Sequence, residues 1–68
     1  MDKLLREQAH TLAEKFTELE CKTNDFTLYD GDNYSRVAKV IYEDYFNYAM
    51  DELKKLKMEI LSDQINKN

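Results

Sequence analysis

The sequence predicts an all-α fold: an antiparallel helical hairpin with a long second helix, completed to a four-helix arrangement by dimerisation. Three observations point there. The chain has no proline and a single glycine, Gly31, so little in it interrupts a helix. Apolar residues return every three or four positions through both halves, the period of a helix with one buried side. One cluster of turn-forming residues, 23–33, separates the two periodic stretches.

The first helix is expected over about 3–21. Leu5, Ala9, Leu12, Phe16 and Leu19 recur at steps of four, three, four and three, which sets them on one stripe, and Leu4 and Ala13 widen it. Glu18 and Lys22 stand four apart in the favourable order. "TLAE" from Thr11 and "TELE" from Thr17 both match a capping box, but each interrupts an unbroken apolar stripe, so neither is read as a helix start.

The segment 23–33 reads as a loop. Thr, Asn and Asp side chains compete for backbone hydrogen bonds, and glycine admits a positive φ. Phe26, Leu28 and Tyr29 are too apolar to be fully solvated and are expected to fold back over the end of the helix pair. "FTLY" could extend, with no second strand evident to pair with it. The stretch "YDGDNYSR" raises the question of a chemical site. As a calcium loop starting at Asp30 it has Tyr34 fifth, Ser35 sixth and Ile41 twelfth, where the motif needs Asp or Asn, Gly and Glu. As a phosphate loop it lacks the Gly-Lys-Ser/Thr ending. The turn reading accounts for its residues: Gly31 takes an unusual φ, and Asp32 or Asn33 caps the next helix.

The second helix is expected over about 34–65. Ala38, Ile41, Tyr45, Ala49, Leu53, Leu56 and Ile60 follow one stripe, and around "IYEDYFNYAM" the apolar arc widens to take in Tyr42, Phe46 and Met50. So wide an arc implies contact on more than one side. Lys39 with Glu43, and Lys55 with Glu59, stand at i, i+4. Asp51 could cap a third helix, yet no glycine, proline or polar cluster marks a break there. Paired outward from the loop, Leu19 meets the region of Val37 and Leu5 that of Leu53. The first helix then ends near Leu56, and about ten residues project roughly 15 Å beyond it. Leu56, Ile60, Leu61 and Ile65 lie on that projection. Burying each stabilises by about 1.5–3 kcal/mol relative to exposure, so a second copy, a partner or a break in the helix is expected to cover them.

Composition limits the functions open to the chain. Sixty-eight residues allow one small domain with a thin core. A chain this short buries only about 60% of its unfolded surface, and such domains lean on disulfides, metals or association. Cys21 is the only cysteine, so no disulfide can form within the chain. Cys21 and His10 alone make a poor zinc set. A lone thiol suits a reducing compartment. No run is long and apolar enough for a signal peptide or a membrane span, and a cytoplasmic location is expected. Ten Lys and Arg stand against fourteen Asp and Glu, for a net charge of −4.

Catalytic and metal chemistry find little support. His10 and Cys21 lie about 16 Å apart along one helix, too far to act together. Glu43 and Asp44 are adjacent and diverge by about 100° on a helix. No cofactor is expected. Lys54, Lys55 and Lys57 are a weak footprint for nucleic acid in an acidic chain. The five tyrosines carry more. Tyr34, Tyr42 and Tyr48 cannot all face inward with Tyr45, and tyrosine offers large contact area at a wet boundary. The expected site is therefore a protein-binding or dimer surface in two parts. One is the aromatic-acidic arc of Tyr42, Glu43, Tyr45, Phe46 and Tyr48; the other is the projecting end, Leu56, Ile60, Leu61 and Ile65. The function this implies is non-enzymatic: a homodimer that binds a larger cytosolic protein stoichiometrically and modulates or inhibits it. The alternative is a nucleic-acid-associated or DNA-mimicking regulator, whose carboxylates (Glu18, Glu20, Asp25, Asp30, Asp32, Glu43, Asp44) would imitate phosphates.

Overall fold

The computed structural model describes residues 2–66, with side chains for 3–64. Helix α1 spans Asp2–Thr23, strands β1 (Tyr29–Asp30) and β2 (Asn33–Tyr34) follow, and helix α2 runs unbroken over Arg36–Asn66. The helices pack antiparallel as a hairpin, 22 residues against 31. The molecule measures 53 × 22 × 13 Å. A helix with side chains is about 10–12 Å across, so the hairpin is two helices wide and one helix thick.

A single layer buries only a line. Ala9, Ala13, Thr17 and Cys21 are fully buried along α1, each four residues from the last. Across from them Ala38, Ile41 and Ala49 are buried on α2. Among the described residues the largest fully buried side chains are Thr17 and Cys21, because the two backbones come together over small ones. Thr17 keeps its hydroxyl satisfied in this seam by donating to the Ala13 carbonyl at 2.6 Å, the back-bond that lets threonine sit inside a helix. Thr11 does the same to Glu7 (3.0 Å), so neither threonine starts a helix.

The seam corrects the expected stripe of α1. Leu12, Phe16 and Leu19 are exposed, Leu19 by 60%. Leucine and phenylalanine at the centre would hold two helices apart, and no third layer exists to cover them. They are displaced to the shoulders, and the row of small residues one position along takes the centre.

The connection is tighter than a loop. The Phe26 N–H reaches the Cys21 carbonyl (2.8 Å) and the Asp25 N–H that of Lys22 (3.4 Å), with Asp25 at φ 57°. This is a Schellman cap with aspartate where glycine is usual, and it ends α1 at Thr23 rather than 21. Contrary to the sequence reading, Tyr29–Asp30 does find a partner strand: Tyr29 pairs with Tyr34 and Asp30 with Asn33. The turn between them is Gly31-Asp32, with Gly31 at φ 68°, the position where a type II′ turn calls for glycine. Of the loop's apolar residues Leu28 folds back on Cys21, Ala38 and Ile41, while Phe26 and Tyr29 stay exposed.

Neither Asp32 nor Asn33 caps α2. Ser35 does: its Oγ accepts the Ala38 N–H at 3.1 Å and donates to the Thr27 carbonyl. Its N–H also donates to Leu28 (2.9 Å). One buried serine thus fixes both the start of α2 and the return of the loop, and Tyr34 belongs to β2 instead of the helix.

Candidate functional site

Three four-spaced rows run along α1, and they decide what each side of the hairpin offers. The seam row carries Ala9, Ala13 and Thr17. On one shoulder lie Leu4, Gln8, Leu12, Phe16 and Glu20; on the other lie Arg6, His10, Glu14 and Glu18. With the molecule one helix thick, each shoulder opens onto its own broad face.

On the first face the shoulders of α1 and α2 form a continuous apolar groove. Its upper part is lined by Leu12, Phe16, Tyr45, Tyr48, Leu53 and Leu56. Its lower part is lined by Leu4, Leu5, Leu53, Leu56, Ile60 and Leu61. Tyr45 closes the upper end, its ring 5.3 Å from that of Phe16 and its hydroxyl donating to Glu20 at 2.7 Å. That bond holds the Tyr45 phenol above its ordinary 10.0, helped by burial and by the Glu20 charge. The groove is rimmed by Lys55, paired with Glu52 at 3.5 Å rather than with Glu59. Leu4, Leu56 and Ile60 are each about half exposed or more in this groove, at 60%, 52% and 49%.

On the opposite face the aromatic rings make a ladder. Tyr29 and Tyr34 lie 5.6 Å apart across the small hairpin, Tyr34 and Tyr42 5.8 Å, and Tyr42 and Phe46 5.9 Å along α2. His10 joins the ladder to α1. Its Nδ1 lies 2.6 Å from the Tyr42 hydroxyl, and its Nε2 lies 3.1 Å from Glu14. Beyond Phe46 the face continues into a depression bordered by Arg6, Met50 and Lys54.

The Glu14–His10–Tyr42 chain joins α1 to α2 across the seam. Burial, then the Glu14 charge, pushes the Tyr42 phenol up. The chain is an interhelix clasp. Among the described residues no group of three or more His, Cys, Asp or Glu is placed to hold a metal ion.

The sequence-predicted arc is split by this arrangement. Tyr45 and Tyr48 border the groove, while Tyr42 and Phe46 belong to the ladder. Glu43 is exposed and lies about 100° round the helix from Tyr42. A run of aromatics on one helix cannot form one surface when a partner helix divides that surface in two. The projecting end is also smaller than expected. Leu56, Ile60 and Leu61 border the same groove as Leu4 and Leu5. Side chains lean toward their own helix N-terminus, so those of α1 lean outward past its start and those of α2 lean back to meet them. The side chain of Ile65 lies outside those described. The α1 half of the groove, Leu4, Leu12 and Phe16, went unassigned because their periodicity is equally that of a core. His10 and Glu14, at i, i+4, carried the one signal that could have placed α1 in the ladder.

Fold and surfaces together define a class: a single-layer helical hairpin with an open apolar groove on one face and a tyrosine ladder on the other. No family model, curated protein or solved structure matches the chain. No helix among the described residues is long and apolar enough to cross a membrane.

Proposed function

We propose that the chain is a non-enzymatic binding protein that pairs with a second copy through its groove, completing a four-helix arrangement. As that dimer it binds a larger protein stoichiometrically and modulates it. The observation that carries the reading is the surface left uncovered. The accessible area is 5722 Å², against about 4,500 Å² for a compact monomer of this mass. The excess of about 1,200 Å² exceeds the roughly 800 Å² each partner gives to a standard interface. The radius of gyration, 15.4 Å, is likewise well above the roughly 11 Å of a compact chain of this length.

A second copy laid head to tail suits the groove because the acidic excess sits at one end. Glu18, Glu20, Asp25, Asp30 and Asp32 gather toward the turn against Lys22, Arg36 and Lys39, whereas Lys3, Arg6, Lys54, Lys55 and Lys57 toward the open end are offset by Glu7, Asp51, Glu52, Glu59 and Asp63. Two copies laid groove to groove and head to tail keep their acidic turn ends apart. A two-fold axis through the groove centre provides that arrangement and closes the assembly at two. Direct binding of nucleic acid is the weaker reading, since Lys54 borders the ladder-side depression and Lys55 the groove, so they form no single basic patch.

Sedimentation equilibrium tests the pairing. The wild type is expected at about twice the 8.1 kDa chain mass. Leu12→Asp with Leu56→Asp, both exposed in the hairpin, is expected to remain helical by circular dichroism and to sediment as a monomer. A wild type that is monomeric at every concentration, or a double variant of unchanged mass, overturns it.

A further inference from the structure

We propose that the ladder face docks a basic helix of the partner protein, its arginine or lysine side chains seated over Tyr29, Tyr34 and Tyr42 and against Glu14 and Glu18. This rests on the reading that a second copy closes the groove, which turns the ladder outward in the dimer.

The ladder is a surface, not a core. In a molecule 13 Å thick none of the described residues forms a layer over it. Tyr29 is 53% exposed, and Tyr34, Tyr42 and Phe46 are half-buried. Ring faces carry partial negative charge and attract cations within about 6 Å of the centroid, arginine more often than lysine. The flanking charge has the same sign. Glu14 and Glu18 follow each other along the α1 edge, and Asp30 and Asp32 stand on either side of Gly31 next to Tyr29. The carboxylates are close enough to act on the rings: after burial, the charges of Glu14 and Glu18 are among those that raise the Tyr34 phenol. Along the α2 edge Lys39 and Glu43 stand four apart beside Tyr42 and Phe46 and offset each other. Cations on this face are Lys22, four residues after Glu18, Lys39, and at the far end Arg6 and Lys54, which border the depression beside Phe46. The turn half of the ladder is therefore the more acidic, which also sets the direction of the partner.

The spacing fits a helix. Successive rings are 5.6, 5.8 and 5.9 Å apart. Residues four apart on a helix rise by about 6.0 Å, so basic residues at i, i+4 and i+8 would meet successive rings. Same-face residues of an extended strand rise by about 6.6–6.8 Å and would drift out of step. Nucleic acid, polyanionic itself, would be repelled by the same carboxylates.

The probe is an alanine-based helical peptide with arginine at every fourth position, titrated calorimetrically into the protein. The same peptide with glutamate in those positions, and a short DNA duplex, serve as comparisons. The arginine peptide is expected to bind, more weakly as salt rises. Binding is expected to fall about tenfold in Glu14→Gln with Glu18→Gln and again in Tyr29→Ala. Glu18→Gln alone, which leaves the His10 clasp intact, should show part of the loss. Equal binding of the arginine and glutamate peptides, variants that bind like wild type, or a preference for the duplex would overturn the proposal. Mass measured on the same samples separates the two readings. A dimer that ignores the arginine peptide overturns the ladder alone; a monomer that binds it with ring dependence overturns the pairing alone.

Discussion

Tyr45 of α2 donates a 2.7 Å hydrogen bond to the Glu20 carboxylate of α1, and that contact ties the helices together at the upper end of the groove. Its neighbour three residues earlier, Tyr42, performs the same task on the opposite face through His10. The hairpin is therefore pinned by one tyrosine on each side of a seam made of small residues. Each pin is also part of the surface on its own side.

Replacing Tyr45 by Phe removes the bond and leaves the ring. The expected cost is about 1 kcal/mol, since a bond to a charged group contributes more than a neutral one but is screened where it is partly exposed. In thermal melts at neutral pH this lowers the midpoint by several degrees.

The same tyrosine makes stability depend on alkaline pH. Its folded pKa lies above the ordinary 10.0 because of the Glu20 bond. The stabilisation is therefore full below that ordinary value and is lost as pH rises through the folded pKa. Tyr34 and Tyr42, raised chiefly by burial, add to the loss. Wild-type melting temperature is expected to fall above about pH 10, and Tyr45→Phe to flatten the fall without abolishing it. Absorbance of tyrosinate on titration checks the assignment.

Ser35→Ala should be among the most damaging small substitutions. It strips α2 of its cap and leaves the Thr27 carbonyl of the loop without its donor from the buried Ser35. Loss of an N-cap alone costs roughly 0.5–2 kcal/mol. Urea titration should place this variant at or beyond the upper end of that range, with early amide exchange in residues 27–35.

The two left-handed positions should respond in opposite directions. Asp25, at φ 57°, occupies a site that glycine fills without strain, and Asp25→Gly should stabilise by roughly 0.5–1 kcal/mol. Gly31 has open space around its Cα, so Gly31→Ala meets no clash and should cost only the conformational strain, about 1 kcal/mol. Paired melting curves decide both signs.

Seam and shoulder can be separated by size. Ala13 is fully buried, and Ala13→Leu should destabilise by about 1–3 kcal/mol by forcing the helices apart. Leu19→Ala, at a position 60% exposed, should stay within about 0.5 kcal/mol. Had the sequence stripe formed the core, the order would be reversed.

That reversal shows where legibility ends. The hairpin, the position of its turn and the unbroken second helix could all be read from periodicity and from where Gly31 falls. Periodicity says that Leu12, Phe16 and Leu19 share a side with Ala9 and Ala13. It does not say which members of a broad arc lie at its centre, because hydrophobicity ranks leucine above alanine while close approach of two backbones ranks them the other way. The tyrosine arc failed similarly. Tyr42, Tyr45, Phe46 and Tyr48 are close in sequence, yet α1 lies against the middle of their arc and sends two to each face.

The capping serine was missed for a related reason. "DNYSR" offers three residues that can cap or turn, Asp32, Asn33 and Ser35, and only the pairing of Tyr29 with Tyr34 leaves Ser35 as the first residue free to cap. Local chemistry thus determined that this chain forms two helices joined by a turn at Gly31, because helix propensity and glycine's access to positive φ act within a few residues. The tertiary structure alone decided which apolar residues are core, which face each tyrosine serves, and which residue starts α2. Those outcomes depend on where a second helix comes to rest, and no window of sequence contains that distance.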